Sequence, residues 1–248
     1  MSVSAASASP LVDELDHLAT VEHALCVLYL WFHCALGDVV EPGPAGGQAG
    51  LMAQDQMRRI RGTNRALVRA GGTATVGRAT HVRNDTGAPV ELPTPEPGAL
   101  DTFLNRCGPV TAALDGRYGH LGDLAVSVEP SVREEIDAAV ATGVLHTAEL
   151  ATLRDGLAGL GPAEYIRVRP ADAPVADTRE AGLQRLGDLY YRTIVEAVRL
   201  GMTYEDDLGD LIPSTTTTMF KLEEVHRKLA ERGHLPTFTL ADPALAAG

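Results

Sequence analysis

The chain is poor in basic residues, in aromatic residues and in long apolar runs, and each shortage excludes a class of protein. Of its 248 residues, 21 are basic and 33 are acidic, which gives a net charge of −12. Nucleic-acid binding needs a basic surface that displaces phosphate counterions, so that function is excluded. An aromatic content of 4% is low for a β-sandwich or a carbohydrate-binding domain. No apolar run reaches the ~18 residues that span a bilayer, so we expect no membrane association.

Cysteine is scarce as well. The three cysteines, Cys26, Cys34 and Cys107, form none of the spacings that bind metals, and an odd number is typical of a reducing cytoplasm. The first ten residues carry no positive charge, which argues against a secretory signal. We therefore expect a cytoplasmic protein, and its 45% hydrophobic content is enough for a real core.

Helical spacing of apolar residues predicts four long helices in two pairs. They cover residues 11–36, 51–70, 178–200 and 215–232. Helix pairs that are joined by a long crossover are typical of ferritin-like proteins. We therefore predict an all-α fold, a ferritin-like four-helix bundle with a long irregular crossover that carries extra short helices.

The predicted domain runs from residue 11 to residue 235, between a disordered tail (1–10) and a C-terminal tail (236–248). Its crossover, residues 73–177, begins as an irregular loop over 73–98 and continues with short helices. These cover residues 100–106, 131–142 and 147–156, and Ser131 and Glu134 form a capping box at the start of the second. A further loop is predicted at residues 41–47, which read EPGPAGG.

The first helix is nearly all apolar after residue 18, so its polar residues are informative. One face carries Glu22, Cys26, Tyr29 and His33, and His23 and Cys34 lie beside that face. A carboxylate inside such a helix is costly unless it is paired, protonated or bound to a metal. Glu22 is therefore either satisfied by a buried arginine or tyrosine, or it is a ligand or acid/base group in a cavity of the bundle.

Arginines begin on the second helix, where Asn64 lies on the apolar side. A stripe beside that side carries Arg58, Arg61, Arg65 and Arg69. This stripe either is a solvated face that pairs with acidic residues, or it provides Arg61 or Arg65 to bind a substrate carboxylate through two hydrogen bonds. No Lys or Arg precedes Arg58, so the second helix is the expected source of a cation for Glu22, unless a histidine is protonated.

The second pair of helices adds two groups of candidates. On the third helix, Asp188 and Tyr191 share a face, Tyr190 lies on the neighbouring face, and Gly187 indicates the close approach of another element or a ligand. Asp188 either faces the interior or pairs with an arginine outside. On the fourth helix, Glu223 and His226 have the E-x-x-H spacing of di-iron ligands, although ordinary surface pairs use the same residues.

Several segments carry a family likeness. Residues 18–30, with Glu22 and His23, read much like LAxELEHAxxxxYL; residues 60–72 end in Gly-Gly; residues 100–109 are similar to F-L-x-I-E-x-P, and residues 186–190 to I-G-E-F-Y. These segments, which cover about half of the chain, resemble the ferritin-like domain of the VioB and iminophenyl-pyruvate dimer synthase family. The resemblance implies a role in bacterial secondary metabolism, that is, in natural-product biosynthesis.

The resemblance also implies where the metal ligands of the family would fall. These positions are Glu22, Asn64, Leu67, Cys107 and Asp188. Glu22 is kept and Asp188 is a shortened carboxylate, but Asn64 and Leu67 replace a glutamate and a histidine, and Cys107 replaces another glutamate. Since leucine cannot bind a metal and a neutral amide is a poor substitute for a carboxylate, the metal site is degenerate.

Three functions follow from these observations. The first is a metal-independent enzyme without a cofactor, which acts on a small-molecule substrate by cyclisation, condensation, dehydration or isomerisation. Its acid/base groups are Glu22 and Asp188, and its proton donors are Tyr29, Tyr190 and Tyr191. The residues expected to bind its substrate are Arg61, Arg65, Asn64, Cys26, Cys107 and His23.

The second function is a non-heme iron oxidase or oxygenase with a rearranged site. Its ligands would be Glu22, Asp188, Glu223 and His226, enough for one iron. The third function is a non-catalytic binding or partner subunit, for example in a homodimer.

Overall fold

A computed structural model of the protein describes residues 9–36, 44–93, 100–157, 178–234 and 236–238. Most of these residues are helical, which confirms the all-α class. The predictions for residues 1–8, for the end of the crossover at 158–177 and for most of the C-terminal tail lie outside the described residues. None of the helices within the described ranges is both long enough and apolar enough to cross a membrane.

The elements follow one another as two long helices, a small hairpin, three crossover helices and a second helical group. In chain order they are α1 (Pro10–Leu36), α2 (Pro44–Arg69), β1 (His81–Arg83), β2 (Pro89–Glu91), α3 (Leu100–Leu124), α4 (Pro130–Gly143), α5 (His146–Leu157), α6 (Thr178–Thr203), α7 (Glu205–Leu208), α8 (Leu211–Ser214) and α9 (Thr216–Ala230). The four predicted long helices are therefore present as α1, α2, α6 and α9.

Three helices begin earlier than predicted, each at a proline. α1 starts at Pro10, so the predicted disordered tail is wrong at that residue. α2 starts at Pro44, so the loop prediction for 41–47 is wrong in its second half, and α4 starts at Pro130. Proline suits the first turn of a helix because its missing N–H would have no partner there and its φ is already helical. Glu129 is the N-cap of α4 and makes no side-chain cap bond, so the predicted capping box at Ser131 does not form.

The crossover is more regular than predicted. α3 does not end at Arg106 but continues through Pro109 to Leu124. Proline inside a helix removes one backbone hydrogen bond, and the apolar face that follows offsets this loss by its burial. That face consists of the buried residues Val110, Leu114, Tyr118 and Leu121.

The predicted irregular loop over 73–98 contains a hairpin. β1 and β2 pair antiparallel, with Val82 opposite Val90. The side chain of Asn84 accepts hydrogen bonds from the backbone N–H groups of Thr86 and Ala88 at 3.0 and 2.9 Å, which closes the turn. Gly87 has a φ of 81°, a conformation that favours glycine.

Contacts along α1 and α2 show that the two helices are antiparallel. The ring of His33, late in α1, lies at the start of α2, 2.7 Å from the Gly46 carbonyl, whereas Cys26 donates to the Ala53 carbonyl further along.

α6 and α9 also pack together, and a Cβ added at Gly187 would lie 3.4 Å from the Val225 side chain. A Cβ there would make an ordinary van der Waals contact, so α9 packs beside Gly187, but the approach is not close enough to require a glycine. The crossover helices α3, α4 and α5 pack against the α1–α2 pair.

Candidate functional site

Two adjacent residues of α1 point into two different polar networks. Glu22 makes its contacts with the crossover helices and α2, whereas His23 makes its contacts with the segment after α2 and with α6. Successive residues of a helix are about 100° apart around the axis, so neighbouring side chains can serve different faces. α1 therefore separates a crossover-side network, centred on Glu22, from an α6-side pair, formed by His23 and Tyr191.

Glu22 is fully buried and its carboxylate is surrounded by donors. The Tyr118 hydroxyl donates to it at 2.8 Å, and His146 Nε2 lies 2.9 Å from the same oxygen. The Gln56 amide is oriented so that its nitrogen donates to the other oxygen of Glu22. The amide oxygen then accepts from Arg59 Nη1 at 2.7 Å. The predicted satisfaction of Glu22 by a buried tyrosine is therefore present, but its direct cationic partner is a histidine of α5 and not an arginine of α2.

His146 lies between two carboxylates at the start of α5. Its Nε2 donates to Glu22, and its Nδ1 donates to Asp115 over 3.1 Å, so both ring nitrogens carry hydrogen. Burial alone lowers the pKa of His146, but the Glu22 charge and the hydrogen bonds to Asp115 and Glu22 outweigh it and raise the pKa to about 9. His146 is therefore an imidazolium at neutral pH.

Asp115 connects this network to the solvent edge. It is half-buried and accepts the backbone N–H groups of His146 and Thr147 at 3.0 and 3.1 Å, in the first turn of α5. A carboxylate at a helix N-terminus is stabilised by the exposed amides there. Burial would raise the pKa of Asp115, but the hydrogen bonds from His146 and Thr147 lower it.

A second ion pair, between buried Arg59 and half-buried Glu149, completes the crossover-side network. The Arg59 guanidinium binds both oxygens of Glu149, one of them at 2.8 Å, and its Nε donates to the Thr142 carbonyl at 2.8 Å. The hydroxyls of Tyr118 and Thr63 lie 2.9 Å apart, and the Tyr118 ring stacks on His146. The network thus joins α1, α2, α3, α4 and α5 through mutually satisfied polar groups.

The α6-side pair is a neutral hydrogen bond between two ring systems. His23 Nδ1 lies 2.8 Å from the Val76 carbonyl, which can only accept, so Nδ1 carries the hydrogen and Nε2 has a free lone pair. The Tyr191 hydroxyl lies 2.5 Å from Nε2 and therefore donates to it. Burial lowers the pKa of His23 to about 4, against the backbone hydrogen bonds that raise it, so the ring is neutral at pH 7.

The residues after α9 cover this pair. The Phe238 ring packs edge-on against Tyr191 at 5.4 Å and against His226 at 4.7 Å between ring centroids. Thr237 donates to Asp188 at 2.9 Å, which ties the same segment to α6. Asp188 is half-buried and holds this covering segment.

Other predicted site residues have different surroundings. Arg61 is exposed, and Arg65 is half-buried and lies 3.0 Å from Glu135. Asn64 is fully buried, but its amide bonds the backbone of Ile60 and Thr75. The polar groups of these three residues are thus directed to solvent, to a carboxylate or to the backbone, and their part in substrate binding stays a prediction.

The buried tyrosine and thiols of α1 and α3 lie near the crossover-side network. Among the described residues, the Tyr29 hydroxyl has no hydrogen-bond partner although the residue is fully buried. Burial raises the pKa of both Cys26 and Cys107 to about 12, so both thiols stay protonated. Tyr190 is half-buried and packs against the core.

The candidate metal ligands do not assemble into one centre. Glu223 is exposed, whereas His226 is buried against Phe238. In the part of the chain that the structure describes, no three His, Cys, Asp or Glu side chains are arranged around a common point that could hold a metal. At the family's ligand positions, the Asn64 amide is occupied by backbone, Leu67 has no donor and Cys107 holds its proton, so this donor set does not fit the family's metal.

Sequence reasoning missed most of the crossover-side network. The residues it did not single out are Gln56, Arg59, Thr63, Asp115, Tyr118, His146 and Glu149. One signal was available, because the absence of Lys and Arg before Arg58 required a partner for Glu22 from elsewhere in the chain. Comparison of the chain with models of protein families, with curated proteins and with solved structures finds no match in any of the three.

Proposed function

We propose that the chain is a small-molecule enzyme that works by general acid/base catalysis without a metal, and that His23 and Tyr191 transfer the proton. The observation that carries this proposal is the buried 2.5 Å hydrogen bond from the Tyr191 hydroxyl to the unprotonated Nε2 of His23. A neutral imidazole that accepts a hydrogen bond from a hydroxyl can act as a general base, because it can take the hydroxyl proton when that oxygen gains another.

The proposed proton path has two transfers. The Tyr191 oxygen takes a proton from the substrate while its own proton passes to His23 Nε2. The imidazolium that results is stabilised by the Val76 carbonyl on Nδ1, and the reverse transfer returns a proton to another atom of the substrate. This cycle conserves protons and electrons, so it suits isomerisation, cyclisation, condensation or dehydration, the reaction types proposed from the sequence.

The crossover-side network has a supporting part in this proposal. Its hydrogen bonds to Glu22 tie α1 to α3 and α5, and a rigid α1 keeps His23 at a fixed distance from α6. Acid/base action by Glu22 itself stays a prediction, as do the parts of Asp188, Tyr29 and Tyr190. In the proposed reaction cycle the substrate displaces the Phe238 ring, which covers Tyr191.

The proposed scaffold is a ferritin-like four-helix bundle of the VioB-like type, which works in bacterial natural-product biosynthesis. Two helix pairs, α1–α2 and α6–α9, with a long crossover between them, support this architecture. The His23–Tyr191 hydrogen bond joins the two pairs, as expected for a site inside such a bundle.

The test uses the purified protein and a panel of imines and 2-keto acids, the intermediates that the resemblance implies. Mass spectrometry follows products that keep the substrate mass, lose water, or join two substrate molecules. We expect Tyr191→Phe and His23→Gln to lower turnover by about 10²–10⁴-fold, the usual contribution of general acid/base groups.

The matched control is Tyr204→Phe, which removes the same hydroxyl from a tyrosine that is 54% exposed just after the C-terminal end of α6. Equal turnover in Tyr191→Phe and Tyr204→Phe would refute the assignment. Substrate binding without conversion in the wild type would favour the non-catalytic subunit instead.

A further inference from the structure

The segment between α2 and β1 fixes the ring of His23, and one buried amide holds that segment. α2 ends at Arg69, and Gly71, whose φ is 89°, reverses the chain just after it. The chain then crosses α1, where the Val76 and Gly77 carbonyls lie 2.8 and 3.2 Å from His23 Nδ1. The position of these carbonyls decides which nitrogen of His23 carries the hydrogen.

The segment is attached to the helices on both sides of these carbonyls. Ala79 N–H donates to the Thr20 carbonyl at 3.1 Å, which fixes its far end to α1. On the near side, Asn64 Oδ1 accepts the Thr75 N–H at 2.6 Å and Asn64 Nδ2 donates to the Thr75 carbonyl at 3.1 Å. Asn64 thus binds both backbone groups of the residue that precedes Val76.

The Asn64 side chain is itself held in one orientation. It is fully buried, and its Nδ2 also donates to the Ile60 carbonyl at 3.0 Å, one turn earlier in α2. Its two donor hydrogens and its oxygen therefore all have backbone partners. A buried polar side chain with every group satisfied is a rigid support, because any other rotamer would leave these groups unpaired.

We propose that Asn64 is a positioning residue of the α6-side pair: it holds Thr75 so that the Val76 carbonyl keeps the hydrogen on His23 Nδ1 and leaves Nε2 free to accept from Tyr191. The consequence of Asn64 for catalysis rests on the proposed function, whereas its effect on the tautomer of His23 does not. Asn64 acts through the backbone and does not touch a substrate.

The test is a long-range ¹H–¹⁵N NMR experiment on the full chain, which distinguishes a protonated from an unprotonated ring nitrogen. In the wild type we expect His23 to be protonated at Nδ1 alone. In Asn64→Ala we expect a loss of this single form, with the Nε2-protonated tautomer beside it. The matched control is Asn84→Ala, which removes another amide that bonds the backbone: its oxygen accepts two N–H groups in the hairpin turn.

A second variant covers the case in which Asn64→Ala fails to fold. Asn64→Asp keeps the oxygen that accepts from Thr75 and loses the two donor hydrogens, so we expect the same tautomer change to a smaller extent. A single Nδ1-protonated form in every Asn64 variant that folds would overturn the inference. A tautomer change in a protein that shows no turnover would support the inference and refute the proposed function.

Discussion

The two sides of α1 bury polar groups by opposite means. On the crossover side, Glu22 and His146 are charged, fully buried and paired with each other. On the α6 side, His23 and Tyr191 are neutral and share one hydrogen bond. A buried charge must be paired, and its partners then hold it in place. A neutral pair needs no counter-charge, and the shared hydrogen bond satisfies both polar groups.

The comparison separates two roles that the sequence places on neighbouring residues. Glu22 is the more conspicuous residue, because a carboxylate in an apolar helix needs an explanation. Its oxygens are occupied by Tyr118, His146 and Gln56, which is the arrangement of a structural hub. On His23, the unprotonated Nε2 accepts the hydrogen of the Tyr191 hydroxyl, which is the position that a general base takes.

The largest expected effect is on stability when the charge of Glu22 is removed. Glu22→Gln leaves the His146 imidazolium without its closest counter-charge, so we expect the free energy of unfolding to fall by about 3 kcal/mol or more. Urea denaturation measures it. Glu134→Gln removes the same charge from an exposed position of α4 and should change the value by less than about 0.5 kcal/mol. Equal effects would contradict a structural hub.

The pH dependence of stability should differ between the two sides. The pKa of His146 rises from 6.5 to about 9 on folding, so its contribution of about 3 kcal/mol is complete below pH 6.5 and is lost as the pH rises through 9. The pKa of His23 falls to about 4, so its contribution is present above pH 6.5 and is lost as the pH falls through 4.

Urea denaturation at a series of pH values measures the free energy of unfolding. Its decrease above pH 6.5 is the alkaline limb, and its decrease below pH 6.5 is the acid limb. We expect His146→Gln to flatten the alkaline limb and His23→Gln to flatten the acid limb. His120→Gln, which removes an exposed histidine of α3, should leave both limbs as they are in the wild type. An alkaline limb that persists in His146→Gln would show that this histidine is not the charged member of the crossover-side network.

Removing one tyrosine hydroxyl from each side compares how much a hydrogen bond contributes to stability on the two sides. Tyr118→Phe removes a donor to a carboxylate and should lower the free energy of unfolding by about 2 kcal/mol, since hydrogen bonds to charged groups are the stronger ones. Tyr191→Phe removes a donor to a neutral ring and should cost about 1 kcal/mol. Thermal unfolding of both variants shows which of them loses more stability. A larger loss of stability for Tyr191→Phe would contradict the comparison.

The smallest effect is expected at Tyr29. Its buried hydroxyl has no hydrogen-bond partner among the described residues, so Tyr29→Phe removes an unsatisfied polar group and should be neutral or stabilising by up to about 1 kcal/mol. The melting temperature measures this change. A clear loss of stability would assign the hydroxyl to the crossover-side network after all.

Much of the helical fold was predictable, because apolar periodicity is a local property of the sequence. At α2 the predicted apolar side with Asn64 is buried, but the core face also includes the polar residues Gln56, Arg59 and Thr63, which apolar periodicity does not mark. The partner of Glu22 was not predictable, since His146 lies 124 residues further along the chain and no local pattern records a tertiary contact. His23 could be named as a candidate beside Glu22, but the carbonyl that fixes its tautomer belongs to a loop.

The central claim is that α1 separates a charged support from a neutral proton-transfer pair. An NMR titration of the ring signals of His23 and His146 in the folded wild type tests it most directly. The account predicts that at pH 7.5 His146 is protonated on both ring nitrogens, whereas His23 is protonated on Nδ1 alone. A neutral His146 together with a doubly protonated His23 at that pH would contradict it.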